Sequence, residues 1–377
     1  MKKILCAVLA LAMVFMCGCS AFLEKEYLSI SDYDSGVDEP AEPEISAIES
    51  YAGLRAALQN MVQQHQESAQ LQFSNYAGNI SDDLAEASWQ VKSASALGAY
   101  MVDYISYDIN RIVTYYQATV YINYTRSAEE MEKIHSIGAN KIAETVVGAV
   151  AAGEGSVAMQ VYTSSIDGSA MARRVEEALL NAPADIPVMP DISVDVYSGS
   201  DLRRIFEVKF DYREPEKDIA LMRAELQDAI RAAGARIRPD EDYSIAILAA
   251  DVLGDICRYN AGDDTGTAYD ALLGGSGGSR AVSMAYAAVC AARGLETKLV
   301  SGLKNNENYC WAMVKVDGFW YHADAVEAIG LPAETPFLRN DSEMVRTFRW
   351  DEMDYPSCDG PSFLPVAEKN EQISQEN

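Results

Sequence analysis

The sequence predicts an α+β protein: two repeated strand–helix–strand–strand modules, followed by a third α+β unit of different pattern. Three observations lead there. Phe206, Val208, Phe210 and Tyr212 alternate with Glu207, Lys209 and Asp211, which marks a strand with one buried face. That strand closes a pattern seen twice, with a period of about 85–90 residues. The first copy is SAQLQFSNYAGNISDDLAEASWQV, then GAYMVDYISYDINRIVTYYQATVYINYTRSAEEM; the second is SVAMQVYTSSIDGSAMARRVEEALL, then PDISVDVYSGSDLRRIFEVKFDYREPEKDI. Past Asp240 the pattern changes to an apolar helix, a glycine run, a second helix and a tight hairpin.

In chain order, residues 1–19 read as a bacterial lipoprotein signal. Lys2 and Lys3 precede an apolar run, Ile4 to Met16, that is too short to span a bilayer. Met16-Cys17-Gly18-Cys19 resembles the lipoprotein cleavage site, which implies a lipid on Cys19 and an extracytoplasmic protein anchored to the membrane. Residues 20–45 are acidic, carry Pro40 and Pro43, and read as a tether. The two modules follow at 46–150 and 151–238, with helices expected at Ser127–Ala151 and Glu216–Ala233. The third unit spans 239–365, and 366–377 form a polar tail. A net charge of −27 excludes the basic stripe that nucleic acid needs. Removing Cys6, Cys17 and Cys19 leaves Cys257, Cys290, Cys310 and Cys358, which allow either two disulfides or four buried thiols. His65 and His135 stand singly in polar helical contexts and read as solvated or satisfied side chains.

In the third unit, Tyr243–Asn260 is an apolar helix. The run Gly274-Gly275-Ser276-Gly277-Gly278-Ser279 lacks the Lys-Ser/Thr ending of a phosphate loop and reads as a turn before a helix. That helix runs from about Arg280 to Arg293 and is stopped by Gly294. Asp317-Gly318 is a two-residue hairpin signal between strands Tyr309–Val316 and Phe319–Asp324. If Val316 pairs with Phe319, Tyr309 and Asp324 become diagonal neighbours on one face, roughly 7–8 Å apart, and Cys310 points to the other face.

These residues resemble a transglutaminase-like (papain-like cysteine) domain of bacterial exported proteins. The matching segments are Ser283-Met284-Ala285-Tyr286-Ala287, Gly294-Leu295, Val300-Ser301-Gly302, Tyr309-Cys310-Trp311 and Asp317-Gly318-Phe319-Trp320-Tyr321-His322-Ala323-Asp324. The resemblance covers about 240–365. It implies a triad in which a cysteine attacks an amide carbonyl, a histidine moves the proton and an aspartate orients the histidine. On this alignment Ser283 stands at the cysteine, Tyr309 at the histidine and Asp324 at the aspartate. Serine needs an adjacent base to form its alkoxide, and a phenol with a pKa of about 10 is not one at neutral pH. His322 is the one candidate substitute base, although the family motif carries a framework histidine there.

Cys290 lies about 10–11 Å deeper on the helix and reads as core or disulfide. No Cys/His cluster has metal-ligand spacing and no cofactor motif is present, so neither metal nor cofactor is expected. The leading expectation is a surface lipoprotein and pseudoenzyme whose groove binds a peptide, a glycan or an envelope protein. The alternatives are a hydrolase or acyltransferase using Ser283, His322 and Asp324, and a structural envelope spacer.

Overall fold

The computed structural model describes residues 45–212, 218–263, 265–329 and 337–363. The expected signal sequence with Cys19, the expected tether up to residue 44 and the expected polar tail lie outside them. No helix among the described residues is long and apolar enough to cross a membrane.

The first module contains β1 (Ile45–Ile48), α1 (Tyr51–Gln63), β2 (Ser68–Phe73), α2 (Ile80–Ser93), α3 (Ala96–Met101), β3 (Val102–Ile112) and β4 (Tyr115–Tyr124). The second takes in residues ahead of the expected boundary at 150, because β5 pairs with β6; it contains α4 (Ala128–Glu132), β5 (His135–Ile137), α5 (Ile142–Ala151), β6 (Ser156–Tyr162), α6 (Gly168–Leu180), β7 (Asp191–Ser198) and β8 (Arg203–Asp211). Their sheets run β1-β2-β4-β3 and β5-β6-β8-β7, each with a parallel first pair and antiparallel others. Each module thus has one strand and two helices more than the expected four elements. The single helix expected over Ser127–Ala151 is split. A capping box at Ser127 and Glu130 serves only α4, whose C-cap is Lys133. His135–Ile137 then leaves the helical path and hydrogen-bonds to β6. Gly138 precedes a 3₁₀ turn that leads into α5.

Alternation puts Ala118, Val120 and Ile122 of β4 under α1 and α2, and Phe206, Val208 and Phe210 of β8 under α5 and α6. The modules join where Arg126 pairs with Glu207 at 2.6 Å and lies 4.0 Å from the Tyr100 ring centroid. His65 Nε2–H donates to the Arg126 carbonyl (2.9 Å) and the ring stacks on Tyr124, so it is a satisfied framework group.

The third unit contains α7 (Ile219–Ala235), α8 (Asp242–Ile256), β9 (Arg258–Tyr259), α9 (Ala268–Leu272), β10 (Ser276–Gly277), α10 (Ser279–Ala292), β11 (Thr297–Lys304), β12 (Glu307–Val316), β13 (Phe319–Ala323), α11 (Ala325–Ala328), β14 (Leu338–Arg339), α12 (Asp341–Met344) and β15 (Phe348–Arg349). Its five-stranded sheet has the order β14-β13-β12-β11-β15. Helix α10 is buried along most of its length, between this sheet and α7, α8 and α9. Tyr286, fully buried, donates to the Ala246 carbonyl of α8 at 3.0 Å.

The hairpin has the expected register, Val316 opposite Phe319 and Ala312 opposite Ala323, with Asp317 and Gly318 both at positive φ. All four described cysteines are buried free thiols. Burial pushes Cys290 and Cys310 up to about 12, so neither is a thiolate at neutral pH.

Candidate functional site

The glycine run delivers the N-terminus of α10 to the end of β12. Gly275 takes a positive φ, and a Cβ at Gly277 would lie 2.5 Å from Cβ of Ala281. Gly278 is the N-cap and offers no side chain, so Ser279 is the first helical residue. The Ser279 Oγ accepts from the Cys310 N–H at 3.2 Å. Ser283, one turn deeper on the same face, donates its hydroxyl to the Cys310 carbonyl at 3.1 Å and has no exposed surface. The two serines thus bind both backbone polar groups of one β12 residue, Cys310. This moves the expected nucleophile position: Ser283 is a core residue, and Ser279 occupies the helix terminus, where the free N–H groups and the dipole would favour an anion. No base among the described residues is bonded to either hydroxyl.

Ser279 lines a cleft of about 400 Å³ with Arg280, Ser301, Gly302, Tyr309 and Cys310. Glu176 and Leu180 of α6 form its opposite wall, so the second module contributes to it. Two contacts hold that wall: Leu299 N–H donates to Asn181 Oδ1 (2.9 Å) and Thr267 Oγ1 donates to the Pro187 carbonyl (2.7 Å). Glu176 and Arg280 also line a second cavity, of about 550 Å³, with Arg173, Asp263 and Asp270. Gly302, paired with Tyr309, sits so close to Trp311 and the Arg349 carbonyl that a Cβ there would lie 2.3 Å from that oxygen.

Tyr309 and Asp324 meet as the register requires. The Tyr309 hydroxyl donates to Asp324 Oδ1 at 2.9 Å. Lys304 bonds to Asp324 Oδ2 at 2.7 Å and to Glu327 at 2.8 Å, and its Nζ lies 4.6 Å from the Tyr309 ring centroid. Asp324 also caps α11 by accepting from the Glu327 N–H. Burial, and then the Asp324 carboxylate, push the Tyr309 phenol far above its ordinary value. The Lys304 ammonium is opposed by burial but is held above its ordinary value by Asp324 and Glu327. Sequence reasoning missed Lys304, which carries no motif and reaches the site from the end of β11.

His322 is fully buried and does not serve Asp324 or a serine. Its Nδ1 accepts from the Trp311 indole N–H at 2.9 Å, which fixes the proton on Nε2, facing Asp341 Oδ1 at 2.9 Å. Both nitrogens are therefore used, and the proposed substitute base is a framework residue. His322, Asp341 and Cys358, far apart in sequence, place one donor atom each within 4.8 Å of one another. A metal on Nε2 would require an imidazolate, because Trp311 can only donate to Nδ1. The trio therefore reads as a hydrogen-bonded brace, in which Asp341 also accepts from the Cys358 N–H at 2.9 Å.

Burial holds the pKa of His322 below its usual 6.5, against the opposing pull of Asp341. Below pH 6.5 the unfolded chain then binds more protons than the folded one, so stability falls as pH drops. The urea midpoint should decrease between pH 6.5 and 5, and His322→Gln, which can keep both hydrogen bonds, should flatten that slope. An equal slope in the variant would show that His322 does not set it.

Residues 231–325 match the family model described as the transglutaminase-like superfamily. No curated protein matches the chain. Among solved structures, a proposed cysteine protease from Cytophaga hutchinsonii is 14% identical, with a TM-score of 0.25 over 39% of this chain and 66% of its own. A TGase is 11% identical, with a TM-score of 0.25 over 57% of this chain and 64% of its own. A proposed protease from Parabacteroides distasonis is 6% identical, with a TM-score of 0.15 over 72% of this chain and 45% of its own. The chain thus spans less than two thirds of the length of each of these three, and overlaps this loose carry no structural weight. The assignment rests on the family match: this chain carries a domain of the transglutaminase-like superfamily.

Proposed function

We propose that the protein is a lipid-anchored envelope protein whose transglutaminase-like domain binds a peptide or another acyl-bearing ligand without cleaving it. The observation that carries this reading is the state of Asp324. The carboxylate that should orient an imidazole instead holds a phenol and an ammonium, and no base among the described residues is bonded to Ser279. An oxyanion formed at the helix terminus would still find N–H donors, but no base among the described residues is bonded to the serine hydroxyl to take its proton. The retained cleft, walled by α6, supports binding. The apolar run before Cys19 supports export and anchoring. The test is turnover: the purified protein should neither hydrolyse nor transamidate glutamine-containing peptides above background, and Ser279→Ala should change nothing.

A further inference from the structure

A second surface, remote in sequence from the cleft, has the chemistry of a binding site. The face of the first module's sheet that points away from α1 and α2 is formed by alternate residues of β2, β3 and β4. Tyr121 pairs with Ser106 and Tyr104 with Asn123, so the two tyrosines are diagonal neighbours on this face. They are 52% (Tyr104) and 46% (Tyr121) exposed, and Asn123 Nδ2 donates to the Tyr104 hydroxyl at 3.3 Å. Beside them, Gln117 donates to Gln70 at 2.6 Å across β4 and β2. Along these three strands the paired positions of the face carry one charged side chain, Asp108, with exposed Asp103 at the β-bulge before Tyr104, in a chain whose net charge is −27.

The corresponding face of the second module is already a docking surface. Ile205 of β8 joins the first module's core, Tyr197 packs edge-on against Tyr100 at 5.0 Å, and Glu207 holds Arg126. The charges there, among them Asp195 and Lys209, pair with each other at 2.7 Å. In the first module the same face is open and built differently.

We infer that the open face of the first module binds an uncharged glycan. Sugar rings present a C–H face that stacks on tyrosine, and hydroxyls that both donate and accept. The Tyr104 and Tyr121 rings offer the first contact, and the Gln70, Gln117 and Asn123 amides offer the second. A protein partner would need an apolar, desolvated centre. Here the centre is glutamine and threonine, Gln70, Gln117 and Thr119. An acidic polymer would find no complementary charge, and a basic one only isolated aspartates. Because β4 is paired on both sides, the side chains are held in place and little ordering is needed on binding.

The experiment is affinity electrophoresis of the purified protein through native gels containing hydroxyethylcellulose, xylan, galactomannan or soluble starch, with polygalacturonate and gelatin gels alongside. At least one neutral polysaccharide should retard the protein, and polygalacturonate should not. Tyr104→Ala/Tyr121→Ala should weaken that retardation at least about tenfold with the circular dichroism spectrum unchanged, while Ser279→Ala leaves it intact. Migration unaffected by all four neutral polysaccharides, or retardation surviving the double tyrosine variant, would overturn the inference. Retardation by gelatin alone would assign the face to a protein partner instead. Loss of retardation in Ser279→Ala would place the glycan in the cleft.

Discussion

Replacing Ser279 by cysteine and Tyr309 by histidine together should create a thiol that titrates at least about one pH unit below that of Ser279→Cys alone. The helix terminus is already positioned, and Asp324 stands where it can orient an imidazole once the phenol is gone. An adjacent imidazolium lowers a thiol from about 8.5 into the range of about 3.5–7.5, so at pH 7 the thiolate fraction should rise about tenfold or more. The pH profile of iodoacetamide alkylation reads this directly. Ser283→Cys, alone or with Tyr309→His, should stay unreactive in the folded protein, because that position is fully buried behind the Cys310 peptide. A low-pH alkylation step at position 283 instead would return the nucleophile position to the deeper serine.

Lys304→Met should destabilise the protein by about 3 kcal/mol, the scale expected when one member of a buried ion pair is removed. Asp324 is 3% exposed and, among the described residues, would keep only the Tyr309 hydroxyl and one backbone N–H. Glu327 retains Arg339 at 2.6 Å, so the loss falls mainly on Asp324. Lys304→Met/Asp324→Asn should recover much of the stability, since the uncompensated charge is gone. Urea denaturation of the three proteins checks this. A change below about 1 kcal/mol in Lys304→Met would show that the network behaves as a surface pair.

The hairpin was legible because Asp317-Gly318 admits one register, and that register alone puts Tyr309 on Asp324 and turns Cys310 to the α10 side. The structure puts the helix terminus at Ser279, one turn before Ser283. Ser279 and Ser283 lie on one helix face, and the Tyr286-Ala287 pair drew the alignment to the deeper serine, although Tyr286 is turned into the core toward α8. Only the packing shows that the glycine run ends the loop at Gly278 and makes Ser279 the terminus. His322 carried a motif signal but no information about Trp311 and Asp341, which reach it from a neighbouring strand and from α12. The short parallel strands β1 and β5 were also hidden. Three or four residues are too few to show alternation, and their stability comes from pairing with β2 and β6.

The measurement closest to the central claim is amide turnover by the purified protein, followed as ammonia release from glutamine-containing peptides with and without an amine acceptor. The account predicts a rate at background in the wild type and identical traces for Ser279→Ala and Ser283→Ala. Turnover above background that disappears in either serine variant would contradict it and make the cleft a catalytic site.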